Sequence, residues 1–114
     1  MKVLICGGRN YNDRERLYGQ MNSLHREHLI DLVMHGGASG ADSLGGDWAR
    51  DAGVQYIVFP ANWQRDGRAA GPIRNKRMLV EGKPDLVVAF PGGKGTAHMV
   101  KISKEVGIQT IEVS

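Results

Sequence analysis

The chain is poor in cysteine and aromatic residues, and it has no long apolar run. Its single cysteine, Cys6, excludes an intramolecular disulfide and fits the reducing cytoplasm. Aromatic residues make up 6% of the sequence, which leaves few rings for stacking on successive nucleic-acid bases. No apolar stretch is long enough to span a bilayer, and the residues after Met1 do not resemble a signal peptide. We therefore expect a cytoplasmic protein with no membrane partner.

Strong net charge and clusters of metal ligands are also missing. The formal charge is +3 and the isoelectric point is about 9.2, values that are compatible with anionic ligands without requiring nucleic acid. His25, His28 and His35 do not have metal-ligand spacing with the cysteine or with a carboxylate cluster. The sequence therefore predicts neither a metal site nor a bound cofactor.

The length of the chain indicates one domain, which we expect to span residues 1–114. Hydrophobic residues make up 41% of the sequence and are spread along its length, which is typical of a folded protein. The 16 glycines fall mostly where strands are predicted to end, so they mark turns and do not form a low-complexity segment.

Apolar runs alternate with segments of helical periodicity along the whole chain. Five apolar runs predict strands at residues 2–6, 29–35, 54–59, 85–90 and 108–113. Four amphipathic segments predict helices at residues 13–27, 40–52, 72–81 and 97–106. Residues 60–70 show no regular pattern. This alternation predicts an α/β protein with a Rossmann-like open parallel sheet of about five strands and helices on both faces.

Local signals define two of the helix ends. Asn12 or Asp13 is expected to cap the first helix, and Pro72 is expected in the first turn of the third. Leu17, Met21, Leu24 and His28 are predicted to share one face of the first helix.

Three glycine turns follow predicted strands and lead into predicted helices. They are Gly7-Gly8-Arg9-Asn10, the segment from Gly36 to Asp42, and the segment from Pro91 to Thr96. In a parallel sheet all three lie at the carboxyl-terminal edge, where open α/β sheets bind ligands. Glycine can serve only to make a tight turn, but three such turns with polar neighbours at one edge favour a ligand crevice.

The turn from Pro91 to Thr96 has the features of an anion site. Its glycines leave backbone N–H groups accessible, and the following helix start favours negative charge. It is neither a dinucleotide fingerprint, because a third glycine is missing, nor a P-loop, because Lys94 is followed by Gly95. Lys94 either contacts phosphate or is a solvated turn residue. His98, which follows the turn closely, is a candidate for ligand contact.

A basic helix provides the second group of candidates. Arg74, Lys76 and Arg77 lie near its start, and Arg65 and Arg68 precede it. Arginine has a planar fork that suits phosphate, although a run of charge is usually a solvated surface. Because Gly71-Pro72 defines the helix start, Arg74 is the arginine that we expect to point into the site.

Several other side chains have more than one interpretation. Asp42 could accept ribose hydroxyls, coordinate a metal or simply cap a helix. His35 could touch a ligand or be packed, and Trp63 could stack on a base or cover the sheet edge. Trp48 and Cys6 are interpreted as core residues.

Residues 35–42, 71–78 and 91–96 together resemble the SLOG superfamily, which joins the Smf/DprA proteins and the LOG enzymes. The similarity covers nearly the whole chain and is greatest to the small, single-domain YspA-type branch, which is often found in bacteria and their phages. The resemblance implies a Rossmann-like fold and a nucleotide or nucleotide-derived ligand. By family analogy, a homodimer is also expected.

The resemblance to LOG enzymes assigns roles to particular residues. Those enzymes cleave the N-glycosidic bond of a nucleoside monophosphate and release ribose 5-phosphate. Arg74 corresponds to their helix arginine, and Met78 is in register. The phosphate-binding turn of those enzymes corresponds to Gly92, Gly93, Gly95 and Thr96.

One departure from the LOG pattern concerns catalysis. LOG enzymes carry acidic residues just after the Gly-Thr pair, whereas this chain has Ala97, His98 and Met99. No carboxylate from this segment is available to assist hydrolysis, and Asp42 would have to replace it.

The leading prediction is therefore that the chain binds or senses a nucleotide or nucleotide-derived signal, such as a ribonucleotide or an ADP-ribose-like molecule. The predicted binding residues are Gly7, Gly8, Arg9, Gly36, Gly37, Ser39, Asp42, Arg74, Gly92, Gly93, Gly95 and Thr96. The alternative is a phosphoribohydrolase with Arg74, Asp42 and His98 as catalytic candidates. The third is a single-strand nucleic-acid binder that uses residues 65–77, since Arg74-Asn75 resembles the Arg–Asn pair of DprA proteins.

Overall fold

Five parallel strands form one sheet in the order β3-β2-β1-β4-β5 in the computed structural model, which describes residues 1–114. The strands are β1 (Lys2–Cys6), β2 (Leu32–His35), β3 (Gln55–Val58), β4 (Leu86–Ala89) and β5 (Gln109–Glu112). β1 pairs with β2 on one side and with β4 on the other. The strand order therefore reverses between β1 and β4, and a crevice opens there at the carboxyl-terminal edge.

Helices cover both faces of the sheet, which confirms the predicted Rossmann-like architecture. They are α1 (Arg14–His28), α2 (Ala41–Ala52), α3 (Trp63–Asp66), α4 (Ala70–Arg77) and α5 (Lys94–Glu105). A short 3-10 turn joins α3 to α4, and one π-helical turn, Met78–Gly82, extends α4. None of these helices combines the length and the hydropathy that crossing a bilayer requires.

Two apolar cores lie on opposite faces of the sheet. On one face, Val3 and Ile5 pack with Leu17 and Trp48 of α1 and α2. On the other face, the core includes Leu4, Cys6, Val87, Met78 and Met99. All four residues of β4 are buried, because a central parallel strand is covered on both sides. Trp48 and Cys6 are therefore core residues, as the sequence indicates.

The strand predicted at residues 29–35 begins later, at Leu32. Leu29 ends α1 with a φ of 50°, and its N–H donates to the His25 carbonyl oxygen at 3.0 Å. Its side chain lies in solvent, and this left-handed conformation cannot continue a strand. Leu17, Met21 and Leu24 are buried on the predicted face of α1, whereas His28, its last residue, is exposed.

Residues 60–70 are more regular than the sequence predicts. The Asn62 side chain accepts a hydrogen bond from the Arg65 N–H at 3.0 Å and caps α3. α4 then begins at Ala70, two residues before Pro72. Proline fits there because the first N–H groups of a helix have no intrahelical partner.

The last helix also begins earlier than predicted, at Lys94 instead of Ala97. Gly93 occupies the N-cap position, and its carbonyl oxygen accepts the Ala97 N–H at 3.0 Å. Gly95 and Thr96 therefore belong to the first turn of α5, and the loop proper is reduced to Pro91–Gly93.

Burial of the central strand predicts that a Leu→Ala substitution there destabilises the protein much more than the same substitution at an exposed leucine. Leu4→Ala should lower the free energy of unfolding by about 2–5 kcal/mol, because Leu4 is fully buried under α4 and α5. Leu29→Ala, at a residue that is 72% exposed, should change it by less than about 0.5 kcal/mol. Urea unfolding of the two variants measures both values, and equal losses would contradict the described core.

Candidate functional site

The three glycine turns contact one another at the carboxyl-terminal edge of the sheet. The Gly8 N–H donates to the Pro91 carbonyl oxygen at 2.9 Å, and the Gly8 carbonyl oxygen accepts from the Ala41 N–H at 3.1 Å. The Ser39 hydroxyl donates to the Arg9 carbonyl oxygen at 3.1 Å. Backbone groups thus tie the turn after β1 to the turns after β2 and β4.

Two glycines are required by this packing. A Cβ at Gly40 would collide with the backbone of Gly8 and Arg9, and Gly40 has a φ of 77°. A Cβ at Gly92 would lie 2.6 Å from the Gly8 nitrogen. Gly92, which the family resemblance assigns to phosphate binding, therefore lies between two turns.

A cleft with two lobes opens above these turns. The first lobe, of about 660 Å³, lies between α4, the turn after β1 and the start of α5. The second lobe, of about 510 Å³, lies beside the turn after β2. The two lobes share Arg9, Ala38, Trp63 and Arg74.

Most of the predicted site residues line this cleft. The first lobe contains Gly7, Gly8, Arg9, Asp42, Arg74, Gly93, Gly95, Thr96 and His98. The second lobe adds Gly36, Gly37 and Ser39. Gly92 lines neither lobe. The arrangement brings the residues together, and their contact with a ligand stays a prediction.

Arg74 is held by protein contacts in the middle of the cleft. Its Nη1 donates to the Gly36 carbonyl oxygen at 2.7 Å, and its Nε donates to Oδ1 of Asn75 at 3.1 Å. Burial lowers the pKa of Arg74, whereas the charge of Asp42 raises it. Arginine stays protonated in proteins, so the guanidinium is a fixed cation. Its Nη2 donates to no protein acceptor, whereas Nε and Nη1 both do.

Asp42 organises the turn after β2. Its Oδ2 accepts hydrogen bonds from the N–H groups of Gly36, at 3.0 Å, and Ala38, at 3.2 Å. The predicted helix cap is therefore wrong in detail, because Gly40 is the N-cap of α2 and Asp42 holds the preceding turn. Burial raises the pKa of Asp42, while these two hydrogen bonds and Arg74 act in the opposite direction.

Asn75 is the site residue that the sequence analysis did not select. It is buried, and its Nδ2 donates to the Gly95 carbonyl oxygen at 3.2 Å and to Nδ1 of His98 at 3.1 Å. Because its Oδ1 accepts from Arg74, its amide orientation is defined, and the neutral His98 ring must carry its hydrogen on Nε2. The Arg–Asn pair shared with DprA proteins was the available signal.

Two other candidates are packed residues. Burial and then the charge of Asp42 raise the pKa of the Cys6 thiol to about 12, so Cys6 is not a nucleophile at neutral pH. His35 is buried, its Nδ1 accepts the Gly37 N–H at 3.0 Å, and its ring stacks on Tyr56. Burial lowers the pKa of His35 and favours its neutral form. No group of three His, Cys, Asp or Glu residues is arranged to hold a metal.

The first lobe is strongly positive. The cations that line it are Arg9, Arg68, Arg74 and Lys94, against one carboxylate, that of Asp42. The other arginines of the basic stretch form ion pairs, Arg65 with Asp66 and Arg77 with Glu81. The positive charge is therefore concentrated in the cleft.

Comparison with known sequences identifies the family. The family model YAcAr, described as the YspA, cpYpsA-related SLOG family, matches residues 1–65. The chain belongs to this family. It is also 36% identical over 118 residues to the Gene 61 protein of Mycobacterium phage D29, a match that covers 96% of the chain and 94% of the phage protein. Family membership confirms the SLOG resemblance.

A solved structure supports the architecture of this SLOG protein. The Moco carrier protein from Chlamydomonas reinhardtii superposes with a TM-score of 0.63 at 15% identity, over 98% of this chain and 75% of the carrier. At this identity the similarity confirms the Rossmann-like fold.

The buried Asp42 predicts a particular pH dependence of stability. Because burial raises its pKa in the folded state, folding takes up a proton at Asp42, and the associated stability is lost as the pH rises through that pKa. The unfolding free energy of the wild type minus that of Asp42→Asn should therefore fall as the pH rises above the unfolded pKa of about 3.9. Urea titrations at several pH values measure this difference.

Asp47 provides a control of opposite sign. The hydrogen bond from Arg14, 2.9 Å long, lowers the pKa of Asp47, so its contribution is present above the unfolded pKa and is lost as the pH falls. The unfolding free energy of the wild type minus that of Asp47→Asn should therefore rise with pH. A rise for Asp42→Asn as well would show that burial does not dominate at Asp42.

Proposed function

We propose that this SLOG protein binds a nucleotide or nucleotide-derived ligand with its phosphate in the first lobe. The observation that carries the proposal is the charge of that lobe, where four cationic side chains surround one buried carboxylate. An anionic ligand would balance this charge, and Arg74 is already oriented for it. A small cleft at the point of strand reversal suits a small molecule.

The start of α5 supplies the other phosphate donors. The N–H groups of Lys94, Gly95 and Thr96 belong to the first turn, where no intrahelical acceptor is available. A Cβ at Gly93 or Gly95 would meet no atom within 4 Å, so the backbone is open to a ligand at both residues. The helix dipole adds to the attraction for an anion.

Binding is favoured over hydrolysis by the chemistry of the lining. Asp42 is the one carboxylate in the first lobe, and its Oδ2 already accepts two backbone hydrogen bonds. Of the residues that stand where LOG enzymes carry acidic residues, Met99 is fully buried in the core and His98 lines the lobe. Neither supplies a carboxylate to an oxocarbenium-like centre.

Single-strand nucleic-acid binding has less support. Such binding uses a basic groove with aromatic side chains on which successive bases stack. Arg65 and Arg77 form ion pairs with neighbouring carboxylates, and Arg68 and Arg74 line the first lobe of the cleft. The name of the Moco carrier protein describes a protein that carries a small molecule, which agrees with a binding role for this fold.

Removal of Arg74 tests the proposed phosphate contact. Arg74→Ala should weaken the binding of nucleoside monophosphates by about 10- to 100-fold, because a charge-assisted hydrogen bond is lost. Isothermal calorimetry with a nucleotide panel, ribose 5-phosphate and ADP-ribose measures the effect. Arg77→Ala, one turn later and paired with Glu81, is the matched control and should bind like the wild type. An absence of binding by the wild type at millimolar ligand would refute the proposal.

A second measurement separates binding from catalysis. The wild type should bind nucleoside monophosphates without releasing ribose 5-phosphate, because the lobe has no free catalytic carboxylate pair. A chromatographic assay of overnight incubations with all common bases detects the product. Release that disappears in Arg74→Ala would instead establish the phosphoribohydrolase.

Two expectations about the whole molecule stay predictions. Association into a homodimer is expected from the family resemblance, and light scattering of the purified protein measures it. A cytoplasmic location is expected from the single cysteine, and fractionation of producing cells measures it.

A further inference from the structure

Trp63 is a large aromatic side chain that neither core uses. It is 50% exposed, although tryptophan is highly buried on average, and it lines both lobes of the cleft. Its ring lies against the start of α4, where a Cβ at Gly71 would be 3.6 Å from Cη2. The first residue of α3 thus presents an aromatic ring at the junction of the two lobes.

The guanidinium of Arg9 lies over this ring. Its Cζ is 5.5 Å from the ring centroid, while the Arg9 backbone is anchored by the hydrogen bond from Ser39. The ion pairs of the chain involve other cations. An exposed cation–π contact is weak, so a ligand can displace Arg9 from the ring without breaking an ion pair.

On the basis of the proposed function, we propose that Trp63 and Arg9 bind the nucleobase of the ligand by stacking. The base lies against the ring of Trp63, and the Arg9 guanidinium covers its second face. The phosphate lies in the first lobe, which shares both side chains with the second lobe. The ligand class is thus a nucleoside phosphate in preference to a sugar phosphate.

The lining of the second lobe also predicts how strongly the protein distinguishes one base from another. It is lined mainly by backbone and small side chains, namely Gly36, Gly37, Ala38, Ser39, Pro60 and Ala61. The Ser39 hydroxyl already donates to the Arg9 carbonyl oxygen. Stacking depends on ring area, and hydrogen-bonding edges are needed to tell one purine from another. Purines should therefore bind more tightly than pyrimidines, with little discrimination between adenine and guanine.

The experiment compares two ligands that differ only in the base. Calorimetry is performed with AMP and with ribose 5-phosphate on the wild type, Trp63→Ala and Trp63→Phe. The wild type should bind AMP about tenfold or more tightly than ribose 5-phosphate. Trp63→Ala should abolish the preference for AMP and change the affinity for ribose 5-phosphate by less than about twofold. Trp63→Phe should restore most of the preference for AMP.

Tryptophan fluorescence of the wild type gives an independent readout that needs no variant. Trp48 is 1% exposed and donates to Asn22, so an emission change on binding reports Trp63. AMP should quench the emission, and ribose 5-phosphate should not. Equal affinities with no quenching by AMP would overturn the stacking role and leave phosphate binding intact. Failure of both ligands to bind would overturn both proposals.

Discussion

The direct packing of three backbone turns around Gly8 is the constraint on which the site depends. Gly8 donates to Pro91 and accepts from Tyr11 and Ala41, so one peptide segment joins the turns after β1, β2 and β4. No side chain fits between these turns. The parallel sheet brings the turns to one edge. The hydrogen bonds between the turns then fix the distances that separate them. The positions of Arg9, Asp42 and the start of α5 follow from it.

Around this framework the protein holds a partly buried cation in advance of any ligand. Burial of charge is unfavourable unless hydrogen bonds or opposite charges compensate it. Arg74 is compensated by the Gly36 carbonyl oxygen and by Asn75, and Asp42 lies close enough to influence its pKa. Burial still dominates, since the pKa of Arg74 is lowered and that of Asp42 is raised. An anion in the first lobe would complete the compensation.

The sequence predicts the sheet, the helices and the shared edge, because apolar runs and glycine turns are local signals. It predicts less well where a single backbone conformation decides an element, as at Leu29, whose positive φ delays β2. It also cannot separate two uses of glycine. Gly92 is required between turns, whereas Gly93 leaves its backbone open, although both stand in the same motif. Asn75 was missed because its role depends on contacts with α5 that only the tertiary structure creates.

His98 is connected to Arg74 through the side chain of Asn75. Asn75 Nδ2 donates to Nδ1 of His98, and the same donor would serve a carboxylate oxygen at that position equally well. The amide itself is oriented by Arg74, so the support for the side chain at residue 98 comes from the arginine in the middle of the cleft. An imidazole in that place retains a hydrogen-bonding group beside the lobe but does not supply the carboxylate that would stabilise a positive centre. The arrangement therefore links Arg74, Asn75 and His98 across α4 and α5 on one side of the cleft.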